Sequence, residues 1–356
     1  MKCTLQDKVD ALRDPASHRL PASSVEAIET HFSWVFLAGE RAYKMKKPLH
    51  QGLQDFSTLE RRRHYCREEL RLNRRLAPHV YLGLVPLTAE EDGRLCLDGR
   101  GEPVEWLVAM RRLSPGSMLD QRLLRGEACE DDMRRIAWQL AGFHCWQPRP
   151  RLDPTGHRLR LWQRVTECEA VLRRPEWHLP RARLDALLGA LRAWLTAHTP
   201  LIEARAMAGC VLEAHGDLRP EHVWLGEPMA IIDALEFSKT LRLQDGADEV
   251  GFLAMECERA GAPELGEALL RHYAEAGGDA APRALLHFYQ ALRACERAGL
   301  AIAHLAESRY QNDPRWRART RQYLRLAAHH LRAARGQGAG THTSASGLAA
   351  DERRAG

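Results

Sequence analysis

The apolar positions in much of the first third of the chain fall in short runs separated by turns, a pattern that predicts a group of β-strands. Residues 25–30 and 32–37 are rich in β-branched and aromatic side chains, and a turn at 38–41 leads into 42–46. Runs of the same character recur at 81–87, 95–97 and 104–110. This part of the chain is therefore predicted to be rich in strands.

A helical spacing of apolar residues interrupts the strands once and then dominates the rest of the chain. The interruption covers residues 59–76, where Ser57 or Thr58 can cap a helix. The other predicted helices are 5–12, 131–144, 159–172, 184–195, 264–274, 283–306 and 315–334. Strands followed by helices predict an α+β fold.

These changes of pattern also suggest where the chain divides. Residues 1–24 are predicted to be a lead-in, 25–112 a β-rich part and 113–335 a helical part. Residues 336–356 are rich in Gly, Ala, Ser and Thr, so this tail is predicted to be disordered. With 356 residues the chain is long enough to bury a sizeable core.

One segment, 212–237, holds the residues with the clearest chemistry. A polar block with the sequence HGDLRPEH begins at His215, and an apolar run at 229–232 ends on Asp233. The pattern predicts a loop followed by a β-hairpin. Kinase-type phosphoryl transfer needs one carboxylate to orient the attacking hydroxyl and a second to hold Mg²⁺ against the nucleotide phosphates. Asp217 and Asp233 are placed for these two roles.

Lysine is rare in this chain, and half of the lysines fall within four residues. Only six of the 52 basic residues are lysines, and three of them are Lys44, Lys46 and Lys47. A lysine ammonium is a compact point charge that suits phosphate oxygens. On a strand, Lys44 and Lys46 point to the same face. A basic strand end that meets solvent is the simpler interpretation, and it explains at least one of the three.

Composition excludes or disfavours several other classes of protein. No apolar run is long enough to cross a membrane, and the first residues lack the apolar core of a signal peptide. Nine scattered cysteines without a C-x-x-C pair argue for a reducing cytoplasm and against a zinc site. A Walker P-loop is absent. The arginines at 61–75 alternate with glutamates and the net charge is only +5, so a solvated helix face is favoured over a nucleic-acid site.

The HGDLRPEH block closely resembles the catalytic loop of the aminoglycoside phosphotransferase family, a branch of the protein-kinase-like fold in which HGD replaces HRD. The match looks nearest to an uncharacterised bacterial group and covers roughly residues 25–330. It implies a two-lobed fold, with a small β-rich N-lobe at 25–112 and a larger, mainly helical C-lobe at 113–335. It also implies transfer of the γ-phosphoryl group of ATP, with Mg²⁺ or Mn²⁺, to a hydroxyl of a small molecule. The sequence identifies neither the acceptor nor the oligomeric state, and it gives no reason to expect a membrane or a nucleic acid as partner.

The resemblance assigns catalytic roles to residues of the block and its surroundings. Asp217 is the expected base or hydroxyl-orienting carboxylate, and His215 of the same block is the second expected catalytic residue. Asp233 is the expected principal Mg²⁺ ligand. Asp248 matches a family aspartate that supports the catalytic loop, whereas Asp245 is interpreted as a helix N-cap.

The nucleotide-binding residues implied by the resemblance lie in the β-rich part. Lys44 aligns best with the family's nucleotide-binding lysine, and Lys46 is the reserve. Glu69 is preferred to Glu68 as the glutamate that pairs with this lysine, because it fits the family's E-x₆-L pattern. No glycine-rich loop is present, and the segment that ends in Ser33 stands in its place as a possible source of phosphate contacts.

The main departure from kinase sequences is His222, which stands where kinases carry a metal-binding asparagine. Mg²⁺ prefers oxygen ligands, whereas Mn²⁺ and Zn²⁺ accept nitrogen more readily. Glu236 is a hypothetical holder of a second ion or a water. The alternative interpretation is a catalytically weak pseudokinase that binds a nucleotide or a partner as a regulatory module.

Overall fold

The computed structural model describes residues 3–18, 24–52, 54–150 and 153–336, and these residues adopt the predicted α+β fold. The tail predicted to be disordered falls almost wholly on 337–356, outside the described residues, as does the 19–23 part of the predicted lead-in. No described helix combines the length and the apolar character that a membrane crossing requires.

A six-stranded antiparallel sheet forms the β-rich part, with the strand order β1-β2-β3-β8-β6-β7. All six strands were predicted, with ends that differ by at most two residues. Separate two-stranded sheets are also present, among them β4 with β5 and β10 with β11. The strands are β1 (Val25–Glu29), β2 (Ser33–Ala38), β3 (Arg41–Lys46), β4 (His50–Gln51), β5 (Gln54–Asp55), β6 (Tyr81–Ala89), β7 (Leu95–Leu97), β8 (Glu102–Arg111), β9 (Val211–Glu213), β10 (Val223–Trp224), β11 (Ala230–Ile231) and β12 (Leu243–Asp245).

The helices follow the predicted order, with some corrections. Helices α3, α7 and α8 were not predicted, and α9 was anticipated only through its N-cap, Asp245. The helix predicted at 59–76 ends at Asn73 because the next residues form tighter turns. The helices are α1 (Leu5–Arg13), α2 (Leu59–Asn73), α3 (Leu119–Leu124), α4 (Glu130–Trp146), α5 (Pro154–Leu172), α6 (Arg181–Ala197), α7 (Thr199–Met207), α8 (Lys239–Arg242), α9 (Gly246–Arg259), α10 (Pro263–Glu275), α11 (Arg283–Ala303) and α12 (Pro314–Gly336).

Helix α2 is fixed at its start and along its buried side. The Thr58 hydroxyl accepts a hydrogen bond from the Arg61 backbone N–H, which satisfies one of the free donors at the helix N-terminus. Within the helix, the Arg62 guanidinium binds both carboxylate oxygens of Glu105 on β8 at 2.8 Å. Lys8 of α1 donates to the same carboxylate at 2.7 Å. One buried glutamate therefore joins α1, α2 and the sheet.

The described residues form two compact units, and one of them is discontinuous in sequence. The first, called the sheet unit below, draws on Met1–Ala128 and His215–Leu243. The second, the helical unit, draws on Cys129–Ala214 and Gln244–Gly356. The lobe boundaries drawn from the sequence remain predictions. The segment that carries the HGD block belongs to the sheet unit.

Each unit has its own apolar core. In the sheet unit, fully buried side chains of β2, β3, β6 and β8 pack together: Phe36, Met45, Leu87 and Leu107. In the helical unit, α5, α6, α9, α11 and α12 contribute to a larger cluster that includes Val165, Leu191, Met255, Phe288 and Ala327. Asp245 caps α9 by accepting a hydrogen bond from the Ala247 backbone N–H, as predicted.

Candidate active site

The predicted hairpin brings the two candidate acidic segments together. Val223 pairs with Ile231 in antiparallel register, and both side chains are fully buried. The backbone N–H of Ile232 donates to the carbonyl of His222 at 2.9 Å. The hairpin therefore fixes Asp233, the next residue, beside the end of the HGD block.

Gly216 has a backbone conformation that explains why the block reads HGD. Its φ is +94°, in the left-handed region that other residues rarely adopt. A Cβ at this position would lie 3.1 Å from the Cβ of Leu235 and 3.2 Å from the Cγ of Arg242. Both the conformation and the packing therefore favour glycine.

His215, which was predicted to be catalytic, contacts two backbone groups, and its catalytic role remains a prediction. Its side chain is fully buried, and Nε2 lies 2.8 Å from the carbonyl oxygen of Ile232. The backbone N–H of Asp217 lies 3.3 Å from Nδ1. These contacts assign the proton to Nε2 and leave Nδ1 as the acceptor. The imidazole holds the catalytic loop against the strand end that precedes Asp233.

Asp217, the predicted base, is held by an arginine that the sequence analysis did not single out. Arg219 Nε lies 3.0 Å from each carboxylate oxygen of Asp217, and Nη2 lies 2.9 Å from Oδ2. The same guanidinium also pairs with Glu221. The Asp217 side chain stays 29% exposed, so an acceptor molecule can reach it. The sequence shows a basic residue two positions after Asp217, but the contact between them depends on the conformation of the loop.

Two lysines and three carboxylates form an ion cluster in the sheet unit. Lys44 Nζ lies 2.9 Å from Oε1 of Glu69 and 2.6 Å from Oδ1 of Asp233. Lys46 Nζ lies 2.7 Å from Oε2 of Glu69 and 2.5 Å from Oε1 of Glu236. Glu69 therefore bridges both lysines, and each lysine also binds one acid of the segment after the hairpin. The predicted lysine–glutamate contact is present, and its role in nucleotide binding remains a prediction.

The ion cluster shifts the pKa values of its members in the directions that opposite charges impose. Burial alone would lower the pKa of Lys44, but Asp233 and Glu69 outweigh it and raise that pKa well above its usual value. Burial would raise the pKa of Asp233, yet the charge of Lys44 holds it well below its usual range. The pKa of Glu69 is also lowered, because the two lysines outweigh its burial. All three groups are thus charged at neutral pH.

Two side chains that were not predicted hold the backbone around Asp233. The Asn73 amide of α2 donates to the carbonyl of Glu69 at 2.8 Å and accepts from the Ala234 N–H at 2.8 Å. The buried Tyr81 hydroxyl accepts from the Asp233 N–H at 3.1 Å. Asp233 itself has a φ of +62°, a conformation that aspartate tolerates better than most residues. Asn73 and Tyr81 are therefore positioning residues for the predicted metal ligand.

His222 presents a nitrogen toward Asp233. Its Nδ1 lies 2.7 Å from the carbonyl oxygen of Asp217, so Nδ1 carries the proton and donates it. The lone pair of Nε2 accepts a hydrogen bond from Nη2 of Arg219 at 3.3 Å, and Nε2 lies 3.6 Å from Oδ2 of Asp233. One imidazole nitrogen and one carboxylate oxygen thus face each other.

The remaining predicted residues have other surroundings. Ser33 is buried, takes part in the turn with Thr30 and pairs in register with Lys46. Glu236 is bound to Lys46, as described above. Asp248 lies in the helical unit, where Arg164 and Arg293 each approach its carboxylate to 2.7 Å. Lys47 is buried and binds Glu29 and the carbonyl of Thr30, so it does not fit the simpler interpretation of a strand end that meets solvent.

Among the described residues, no group of three or more His, Cys, Asp and Glu side chains is arranged to hold a metal ion. A site with two protein ligands is a different case. Mg²⁺ in kinases is held by one or two carboxylates, and substrate phosphates and waters supply the remaining ligands.

Structural comparison identifies the fold. A choline/ethanolamine kinase family protein from Mesorhizobium loti matches with a TM-score of 0.57 and 19% identity, over 92% of this chain and 99% of its own. Plasmodium vivax ethanolamine kinase matches at 0.51 and 10%, over 87% and 84%. Choline kinase from Cryptosporidium parvum matches at 0.52 and 8%, over 88% and 90%. The chain has a protein-kinase-like fold.

Sequence comparison adds relatives without a known activity. Uncharacterized proteins of Mycobacterium bovis and Mycobacterium tuberculosis are 34% identical over 323 residues, which cover 86% of this chain. The aligned region spans about 60% of the length of these relatives. No family model matches the chain. Membership of the aminoglycoside phosphotransferase family therefore remains a resemblance.

Proposed function

We propose that the protein is an ATP-dependent phosphotransferase that moves the γ-phosphoryl group to a hydroxyl of a small molecule. The observation that carries the proposal is the placement of Lys44 between Glu69 and Asp233, within 2.9 and 2.6 Å. In kinases a lysine–glutamate pair directs the lysine to the nucleotide phosphates, and an aspartate holds the metal. The same three residue types are in contact in this site.

The side chains present fit a divalent metal. Asp233 offers a carboxylate that is 42% exposed, and His222 Nε2 lies 3.6 Å from one of its oxygens. A metal ion at Nε2 would replace the hydrogen bond that this nitrogen accepts from Arg219. A divalent ion held there would neutralise charge on the β- and γ-phosphates. This nitrogen–oxygen pair favours Mn²⁺ over Mg²⁺, because Mg²⁺ strongly prefers oxygen.

The chain's own residues then have distinct roles. Asp217 would accept a hydrogen bond from the acceptor hydroxyl and orient its oxygen for attack, which requires that Arg219 share or release the carboxylate. Lys44 would turn from Asp233 toward the phosphates while Glu69 keeps hold of it. Lys46, with a side chain that is 1% exposed, would stay in place and keep Glu236 and Glu69 fixed.

The first test is calorimetric titration of ATP into the protein with Mg²⁺, with Mn²⁺ and with neither. We expect metal-dependent binding that is tighter with Mn²⁺ and is lost in Asp233→Ala. Asp98→Ala is the matched control, because Asp98 also has a positive φ, +57°, and is exposed elsewhere in the sheet unit. Equal binding by Asp233→Ala and the wild type would refute the assignment of the site.

The second test asks for phosphoryl transfer. ADP release is measured with a panel of hydroxyl compounds that includes choline, ethanolamine, aminoglycosides, sugars and nucleosides. The first two are included because of the names of the structural neighbours. Activity that disappears in Asp217→Asn supports the proposed role of that residue.

The alternative function is a pseudokinase that binds a nucleotide without turnover. The bidentate contact of Arg219 with Asp217 favours it, because a base held by a guanidinium is less available to a hydroxyl. This alternative predicts metal-dependent ATP binding, no ADP release with any acceptor, and an Asp217→Asn variant that binds ATP like the wild type.

A further inference from the structure

Three histidine side chains line a small cavity in the helical unit. It has a volume of about 140 Å³ and lies among α9, α10, α11 and α12. Its wall includes Glu258 of α9, His287 and Gln290 of α11, and His329 and His330 of α12. These residues have no part in the proposed phosphotransferase site.

Two of the imidazoles face each other through their Nδ1 atoms. Nδ1 of His287 and Nδ1 of His330 are 3.1 Å apart, and Oε1 of Gln290 lies 3.2 Å from the first of them. Two nitrogens at this separation subtend about 95° at an ion bound at roughly 2.1 Å from each. That angle suits adjacent positions of an octahedral or tetragonal ion, the geometry of Ni²⁺ and Cu²⁺.

A carboxylate behind one imidazole prepares it as a ligand. Oε2 of Glu258 lies 3.0 Å from Nε2 of His330, on the side of the ring that faces away from His287. The negative charge of a carboxylate at this distance favours a proton on Nε2, and with it a lone pair on Nδ1, which faces His287. This carboxylate–histidine arrangement is the usual support of metal-binding histidines. It also gives the cavity wall a negative charge.

We propose that His287 and His330 form a binding site for a late first-row divalent metal ion, Cu²⁺, Ni²⁺ or Zn²⁺, completed by Gln290 and by water. The described residues contain no full set of three His, Cys, Asp or Glu ligands, so this is a two-imidazole site with open positions. The cavity volume of about 140 Å³ leaves room for several waters, each of which takes about 30 Å³. A bound ion would join α11 to α12. The proposal is independent of the proposed phosphotransfer.

The experiment is titration of the full chain with Cu²⁺, Ni²⁺ and Zn²⁺ in the absence of nucleotide. It uses the His222→Asn background, so that the candidate nucleotide site contributes no imidazole. We expect one ion per chain and a rise in the melting temperature, because the ion binds the folded state. We expect no such binding in His287→Asn or His330→Asn, and about a tenfold loss of affinity in Glu258→Gln.

The matched control is His178→Asn, because His178 is exposed outside the cavity and its positive φ, +52°, is compatible with asparagine. This variant should bind like its parent. Equal binding by His330→Asn and His178→Asn would overturn the proposal.

A spectroscopic measurement keeps the test decisive if a variant fails to fold. Pulsed electron paramagnetic resonance of the Cu²⁺-loaded chain, in the same His222→Asn background, should show couplings to the remote nitrogens of two imidazoles. Coupling to a single imidazole, or to none, would refute the site. If His287 and His330 are only hydrogen-bonded to each other and bind no ion together, coupling to two imidazoles will be absent.

Discussion

Replacing Glu69 by glutamine removes the charge that both lysines of the ion cluster share. The Glu69 side chain is fully buried, 2.9 Å from Lys44 and 2.7 Å from Lys46. Breaking a buried ion pair costs about 3–5 kcal/mol, because it leaves a charge without its partner. Each lysine keeps one other carboxylate, Asp233 or Glu236, so we expect a loss near the lower limit, about 3 kcal/mol in the free energy of unfolding.

The assay is urea unfolding of wild type and Glu69→Gln across a series of pH values. The folded-state pKa of Glu69 is lowered, so its contribution is complete above its unfolded pKa of about 4.3 and is lost as the pH falls toward the folded value. The folded-state pKa of Lys44 is raised, so its contribution is complete below about pH 10.4 and is lost as the pH rises. The difference between the two proteins should therefore stay constant from about pH 5 to pH 10 and shrink below about pH 4.

The control is Glu68→Gln, one residue earlier in the same helix. Glu68 is 27% exposed and pairs with Arg71, which is 50% exposed, so its loss should cost no more than about 0.5 kcal/mol. The reasoning is refuted if Glu69→Gln destabilises the protein no more than this control does. It is also refuted if the difference between wild type and Glu69→Gln grows as the pH falls below 4.

Three further substitutions test the rest of the site. Gly216→Ala should destabilise the protein by at least about 1–2 kcal/mol in thermal unfolding, because φ is +94° there; an unchanged melting temperature would contradict this. Asn73→Ala should cost about 1–3 kcal/mol, because the buried Ala234 N–H loses its acceptor, and it should also weaken metal-dependent ATP binding. Normal ATP affinity in a folded Asn73→Ala protein would show that this asparagine does not position the metal ligand. His222→Asn should reverse the metal preference from Mn²⁺ to Mg²⁺ in calorimetric titration of ATP, and an unchanged preference would exclude the imidazole as a ligand.

Local patterns were sufficient to predict most of the fold. Most of the six strands of the main sheet are short runs rich in apolar, β-branched or aromatic residues, and α2 has a cap and apolar residues at helical spacing. These elements could therefore be recognised from short stretches of sequence. Helix α7 was missed because its nine residues carry little amphipathic signal next to Pro200. The pair β4–β5 was missed because each strand has only two residues, too few for a period.

The sequence predicted only those residues of the site whose type and position indicate a chemical role. The two acids, the lysines and Glu69 stand out in the sequence, and the structure brings Lys44, Glu69 and Asp233 into contact. The contact between Asn73 and Ala234 spans 161 residues, and no local pattern indicates it. The hold of Arg219 on Asp217 depends on the loop conformation, which the sequence alone did not reveal.

The discontinuity of the sheet unit affects the order in which the protein can fold during synthesis. Lys44, Lys46 and Glu69 leave the ribosome early, whereas Asp233 follows only after residues 129–214 have been made. At about 5–20 residues per second, synthesis from Glu69 to Asp233 takes between roughly 8 and 33 s. Until then the nascent sheet carries two lysines that share one glutamate, an excess of positive charge beside an incomplete apolar surface. Mutations in the 215–243 segment should therefore reduce the yield of soluble protein in the cell, in addition to any effect on the finished site.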